Sequence, residues 1–153
     1  MRIVDLLTEE RVAVPLSSRD KDGALRELAE RLSRGVPGLD GETLYRALRE
    51  REELATTGIG DGVAIPHTKV HGVEGIMMAV GLSRAGIDFA SIDEKPAHIF
   101  VALIAPEHST GDHLKALARI SRLCRDAAFR GKLLAAQTPR DACEIIAQED
   151  ARH

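Results

Sequence analysis

Two histidines and one arginine in this sequence stand where the chain itself would hold them in place. His67 follows a proline in "TTGIGDGVAIPHTKV" (56–70). Pro66 fixes its own φ and biases Ile65 toward an extended conformation, so the imidazole rides on a segment with little freedom to wander. His113 lies in "STGDHLKAL". Ser109, Thr110 and Asp112 can each cap a helix, which puts His113 in the first turn. Unpaired backbone N–H groups and the positive end of the helix dipole gather there, so an anion such as phosphate is attracted and an imidazolium is disfavoured. Arg51 carries a guanidinium fork that matches phosphate oxygens in two-point geometry. Neutral imidazoles and one fixed cation suit chemistry on a phosphate-like group. Lys69 adds a cation two residues past His67 and is expected to be a solvated surface charge.

The other histidines compete less well. His98 opens an apolar run, as a structural histidine at a strand edge would. His153 ends the chain. His67 and His71 are four apart, but Pro66 and Gly72 argue against a helix between them, and no glutamate follows His67 as in a helical zinc motif. A metal-dependent hydrolase built on His67, His71, His108 and His113 is the competing class. It suffers from the lack of an acid at ligand spacing. "GIGDG" lacks the lysine and hydroxyl of a P-loop and the strand-then-helix setting of a dinucleotide loop. It reads as a loop needing positive φ or close backbone approach, and its glycines would leave room for a partner to reach His67.

Composition narrows the classes further. The 153 residues are 44% hydrophobic and 29% charged, as in one globular domain with a real core. The formal charge of −3 gives no pull toward nucleic acid, and with 3% aromatics and no Trp there is no base-stacking platform. Cys124 and Cys143 form no ligand pattern and suit buried thiols in a reducing compartment. No signal peptide and no apolar run of membrane-spanning length is present. A cytoplasmic protein without membrane insertion is expected.

The elements that would position these groups follow from periodicity. "RVAVPL" is a short strand candidate. Leu25, Leu28, Ala29 and Leu32 share one helical face, which Gly35 and Pro37 end. Asp40 is an N-cap for a helix reaching about Glu53, with Leu39 and Leu44 spaced as a hydrophobic staple. "GIMMAVGL" (75–82) and "HIFVALIA" (98–105) are apolar without helical periodicity, as strands buried on both faces are. "GVAIP" is a shorter strand ending at the proline, and "SRAGIDFASIDEKP" carries turn signals. Leu114, Leu117, Ile120 and Cys124 keep a helical stripe. "DAAFRGKLLAA" is a further helix, and so is "TPRDACEIIAQ", with Thr138 as N-cap and Pro139 at the first helical position. The expected class is α/β (α+β): a three-layer α/β/α sandwich, with a small mixed β-sheet flanked by helices.

"REELATTGIGDGVAIPHTKV" (51–70) resembles the active-site segment of the fructose/mannitol-type enzyme IIA domains of the bacterial phosphotransferase system. That pattern has an arginine, then a serine- or threonine-glycine-hydrophobic-glycine turn, then a hydrophobic-Pro-His. "FVALIAPEHSTGDHLKALARISRL" resembles the second active-site segment of that family, and "LLAAQTPRDACEII" its C-terminal helices. The resemblance spans nearly the whole chain and implies one enzyme IIA unit over residues 1–153. By it, His67 is the histidine that is phosphorylated, on Nε2. His113 is the second active-site histidine, stabilising the phosphoryl group, and Arg51 is the active-site arginine. The implied donor is a histidine phosphocarrier protein, and no cofactor or metal is expected. The stand-alone, nitrogen-regulatory branch is the most similar, implying binding of target proteins according to phosphorylation state. The alternative is the soluble enzyme IIA of a fructose or mannitol uptake system, passing phosphate to an enzyme IIB. Two positions depart from the pattern. Thr68 stands where glycine is common. Asp61 stands where asparagine is common, and its charge would repel phosphate unless it points away or caps the turn.

Overall fold

The computed structural model describes all of residues 1–153. Two short 3-10 turns (Ile3–Asp5 and Glu9–Arg11) precede β1 (Val12–Ala13), α1 (Lys21–Ser33) and α2 (Gly41–Leu54). Then come β2 (Gly58–Gly60), β3 (Val63–Ala64), β4 (His67–Val70), β5 (Met77–Ile87) and β6 (Ala97–Pro106). The chain closes with α3 (Thr110–Cys124), α4 (Ala127–Leu134) and α5 (Pro139–Ala151). The strands make one mixed sheet in the order β1-β5-β6-β3-β2, with β4 also paired to β6. No helix is long and apolar enough to cross a membrane.

The expected three layers are present, and strand alternation builds them. Ile99, Val101 and Leu103 of β6 pack with Ala116, Ile120 and Leu123 of α3 and with Phe129, Leu133 and Ile146. Their neighbours Phe100, Ala102 and Ile104 pack on Leu25, Leu28 and Leu32 of α1 and on Leu44 and Leu48 of α2. Both faces of β6 are therefore buried, which is why its sequence shows no alternation. Helix starts follow side-chain chemistry. Asp40 accepts from the Glu42 N–H at 3.2 Å, and Thr138 accepts from the Asp141 N–H at 3.0 Å.

Two expectations need correction. The strand at "GVAIP" does not end at Pro66. Val63 pairs with Ile99, Ala64 with Phe100 and His67 with Leu103, all at the same offset. Pro66 has no N–H and so interrupts the ladder without shifting its register, and its carbonyl still accepts from the Leu103 N–H at 2.9 Å. His67 therefore sits on a strand rather than on a loop. The second correction concerns the turn expected from Ser83. β5 instead runs on to Ile87, with a register shift after Leu82. Gly86 lies in that shifted stretch at φ 85°, where a Cβ would stand 2.8 Å from the His98 ring.

Candidate active site

His67 belongs to the odd-numbered residues of the β3–β4 line. Val63 and Ile65 face the α3 side of the sheet, and His67 and Lys69 follow by parity. The ring of His67 meets the ring of His113 edge-on, with centroids 5.5 Å apart and planes at 77°. The two histidines are 46 residues apart in the chain, and the parallel β4–β6 pair brings them together, because β6 delivers the chain to the start of α3.

The two imidazoles are held differently. His67 Nδ1 lies 2.7 Å from the Ile65 carbonyl oxygen. A carbonyl can only accept, so Nδ1 carries the proton and the lone pair of the neutral ring is on Nε2. Burial holds the His67 pKa below the ordinary histidine value, and the Arg51 charge pushes the same way, against the Ile65 hydrogen bond and Glu52. His113 is 6% exposed, and its Nε2 is buried with no hydrogen-bond partner. Burial, then the neighbouring His67 and the Lys69 charge, push its pKa down to about 4. A buried polar nitrogen left unpaired costs stability, on the order of 1–3 kcal/mol.

α3 adds to this. Its N-cap residue Ser109 makes no side-chain capping bond. The His113 N–H is already used by the Ser109 carbonyl at 2.9 Å, so the free N–H groups belong to Thr110, Gly111 and Asp112. Arg51 lies in the last turn of α2, where its Nη1 donates to the Ala55 carbonyl at 2.9 Å. Its charge bears on His67 from a tethered guanidinium.

Lys69 is exposed, as expected, and its Nζ donates to Thr110 Oγ1 at 3.0 Å. Two sequence readings change. The glycines do not frame an approach to His67. Gly60 and Gly62, at φ 95° and 75°, turn the hairpin between β2 and β3, and Gly58 is packed so tightly on Ser91 that a Cβ would fall 2.3 Å from its Oγ. The hairpin tip lies beside His98, whose N–H donates to the Gly62 carbonyl at 2.8 Å. His67 is four residues beyond Val63, about 13 Å along the strand. The second concerns Asp61, which lies at the far end of this line from His67. It sits at that tip, at φ 57°, with its N–H bonded to Asp93 Oδ2 at 3.2 Å.

Sequence reasoning missed Glu52. It is 8% exposed, ion-paired to Lys21 Nζ at 2.9 Å, and accepts from both the backbone N–H and the hydroxyl of Thr57. The Thr57 carbonyl in turn accepts from the Ile65 N–H at 2.9 Å, and Ile65 holds His67. Within the charged run "RALREREEL", the one signal was a threonine five residues on, close enough to return to the helix end. His98 is structural, as expected, with Nδ1 3.0 Å from the Ser83 carbonyl oxygen. His71 is exposed beside Glu107, and no group of three or more His, Cys, Asp or Glu converges anywhere. The hydrolase reading on His67, His71, His108 and His113 therefore finds no ligand set, since only His67 and His113 meet.

A free imidazole nitrogen on a mixed α/β/α scaffold thus faces a second buried imidazole and an open helix start. Residues 5–149 match the family described as phosphoenolpyruvate-dependent sugar phosphotransferase system, EIIA 2, and the chain belongs to that family. It is 38% identical over 147 residues to a nitrogen regulatory protein of Bradyrhizobium diazoefficiens, covering 96% of this chain and 95% of that one. It is 34% identical over 150 residues to the PTS system fructose-specific EIIABC component of Bacillus subtilis. That match covers 98% of this chain but spans only 24% of the Bacillus protein. Among solved structures, the nitrogen regulatory protein IIA-Ntr of Neisseria meningitidis superposes with a TM-score of 0.87 at 27% identity, over 94% of this chain and 98% of that one.

Proposed function

We propose that this chain accepts a phosphoryl group on Nε2 of His67 from a histidine phosphocarrier protein, working as one enzyme IIA unit over residues 1–153. The observation that carries the reading is the pairing of two nitrogens. The Ile65 carbonyl fixes the His67 lone pair on Nε2, and the adjoining His113 ring has a buried Nε2 with nothing to bond. In the transfer, the Nε2 lone pair attacks phosphorus and the P–N bond to the donor's ring nitrogen breaks. Its electron pair returns to that nitrogen, and the proton on His67 Nδ1 stays where it is. Charge spreads over the equatorial oxygens in such a step, so positioned donors supply the catalysis. His113 Nε2–H, in its neutral tautomer, donates to those oxygens, and Arg51 supports the charge.

A depressed pKa serves both histidines, because a protonated His67 has no lone pair to attack with. For the biological role we favour nitrogen-type regulation through partner binding that depends on phosphorylation state. The identity to the Bradyrhizobium protein and the likeness to IIA-Ntr support it. The 34% identity to the fructose-specific EIIABC component favours the second reading, a sugar-uptake enzyme IIA handing phosphate to an enzyme IIB.

Incubation with phosphoenolpyruvate and the general phosphotransferase proteins, followed by intact mass measurement, tests the acceptor. One acid-labile phosphate on the wild type and none on His67→Ala is expected. Uptake by His67→Ala would overturn the assignment. Pull-downs with the phosphorylated and unphosphorylated chain separate regulation from transport.

A further inference from the structure

Lys69 shares a strand face with His67, about 7 Å further along, as alternate residues of a strand do. Its side chain spans the mouth of the site to the first residue of α3, where Nζ rests on the Thr110 hydroxyl at 3.0 Å. This parking place is a neutral oxygen on an exposed residue, a weak partner for a full positive charge. The charge is felt inside the site, since it helps to depress the buried His113. Arg51 is placed differently. Its guanidinium is anchored on the Ala55 carbonyl, whereas a lysine is a compact point charge on a flexible stem. A phosphoryl group on His67 would bring about two negative charges onto this face.

We propose that Lys69 is a phosphoryl-binding residue: once His67 is phosphorylated, its ammonium leaves Thr110 and pairs with the phosphoryl oxygens. This rests on His67 being the acceptor. The exchange replaces a hydrogen bond to a neutral hydroxyl by a charge-assisted one to an anion. It also carries the modification outward. The Thr110 hydroxyl is released at the start of a helix whose N-cap side chain is idle, one turn from Leu114, which is 61% exposed. A partner touching the start of α3 would meet a different surface in the two states.

The test uses the full chain with phosphoenolpyruvate and the general phosphotransferase proteins as the phosphate source. Phosphoryl uptake and the transfer equilibrium are measured for wild type, Lys69→Gln and Lys69→Arg. The lysine Cε resonance of Lys69 is followed in the wild type. Loss of one charge-assisted contact predicts that Lys69→Gln lowers the transfer equilibrium about tenfold and that Lys69→Arg restores most of it. The Cε resonance is expected to shift on phosphorylation. A wild type that is phosphorylated on His67 with an unmoved Lys69 resonance, or a Lys69→Gln variant with an unchanged equilibrium, overturns the proposal while leaving His67 in place. A wild type that takes no phosphate, or a His67→Ala variant that takes as much, removes the functional reading and this proposal with it.

Discussion

His67 and His98 both occupy strands of the same sheet, both are half-buried, and both hold Nδ1 on a main-chain carbonyl, that of Ile65 and that of Ser83. They differ in what the far side of the ring meets. Around His98 the backbone closes in, and a Cβ on Gly86 would stand 3.2 Å from its Nε2 and one on Gly62 3.3 Å from its Cδ2. Beside His67 lies an imidazole whose own Nε2 is buried and unpaired, with the open start of a helix next to it. The tautomer lock is therefore common to both rings. What separates them is the neighbourhood, close-packed backbone at His98 against an unpaired imidazole nitrogen and an uncapped helix start beside His67.

Exchanging each for alanine gives the largest contrast. His67→Ala is expected to lose phosphoryl uptake entirely while keeping its fold. His98→Ala is expected to keep uptake and lose about 1–2 kcal/mol of stability, from the Ser83 hydrogen bond and the packing against the glycines. Intact mass and urea midpoints read both. Loss of uptake in a folded His98→Ala would collapse the distinction.

His113 sharpens it from the other side. Removing one preorganised donor predicts uptake about 100-fold slower in His113→Leu. The same change deletes a buried unpaired nitrogen, so stability at pH 7 is expected to hold or rise. Acid should expose the difference further. His113 titrates near 4 in the fold and near the ordinary histidine value when unfolded. The unfolded chain thus binds more protons between about pH 6.5 and 4, and stability falls as pH drops through that window. Between pH 7 and pH 5 the loss is on the order of 2 kcal/mol, with His67 adding in the same direction. In His113→Leu most of this dependence should vanish. Urea titrations at pH 7 and pH 5 measure it, and an unchanged slope would remove His113 as its source.

Much of this was legible beforehand. Unalternating apolar runs at 75–82 and 98–105 announced strands covered on both sides, and Asp40 and Thr138 announced helix starts. The proximity of His67 and His113 came from the resemblance, because no periodicity reveals which strand lies beside which. The course past Pro66 was hidden because a missing N–H looks the same whether a strand ends there or merely skips one bond. The extension of β5 was hidden because Gly86 marks a turn and an irregular strand equally well. Glu52 was invisible for a different reason. In a run of alternating charges, the one buried acid carries no label, and only the return of Thr57 to it shows which side chain faces inward. Glu52→Gln keeps an acceptor for Thr57 but drops the Lys21 ion pair. It is expected to cost about 1–2 kcal/mol and to slow uptake a few-fold, through the Thr57–Ile65–His67 chain of bonds. An unchanged uptake rate would show that His67 is held without it.

The smallest expected effect falls on the hairpin tip, where sequence comparison raised the strongest electrostatic objection. Asp61 is separated from His67 by most of the β3–β4 line, and its backbone is committed to Asp93. At such a distance exposed charges interact weakly across water and salt, since the screening length at physiological ionic strength is about 8 Å. Asp61→Asn therefore changes the uptake rate by less than about twofold, in low salt as well as high. Stability should move by no more than a few tenths of a kcal/mol, because asparagine accepts the left-handed conformation at least as readily as aspartate. A rate that rises severalfold in low salt only would mean that the carboxylate reaches the phosphoryl site, and the two ends of the 56–70 segment would have to be treated as one electrostatic unit.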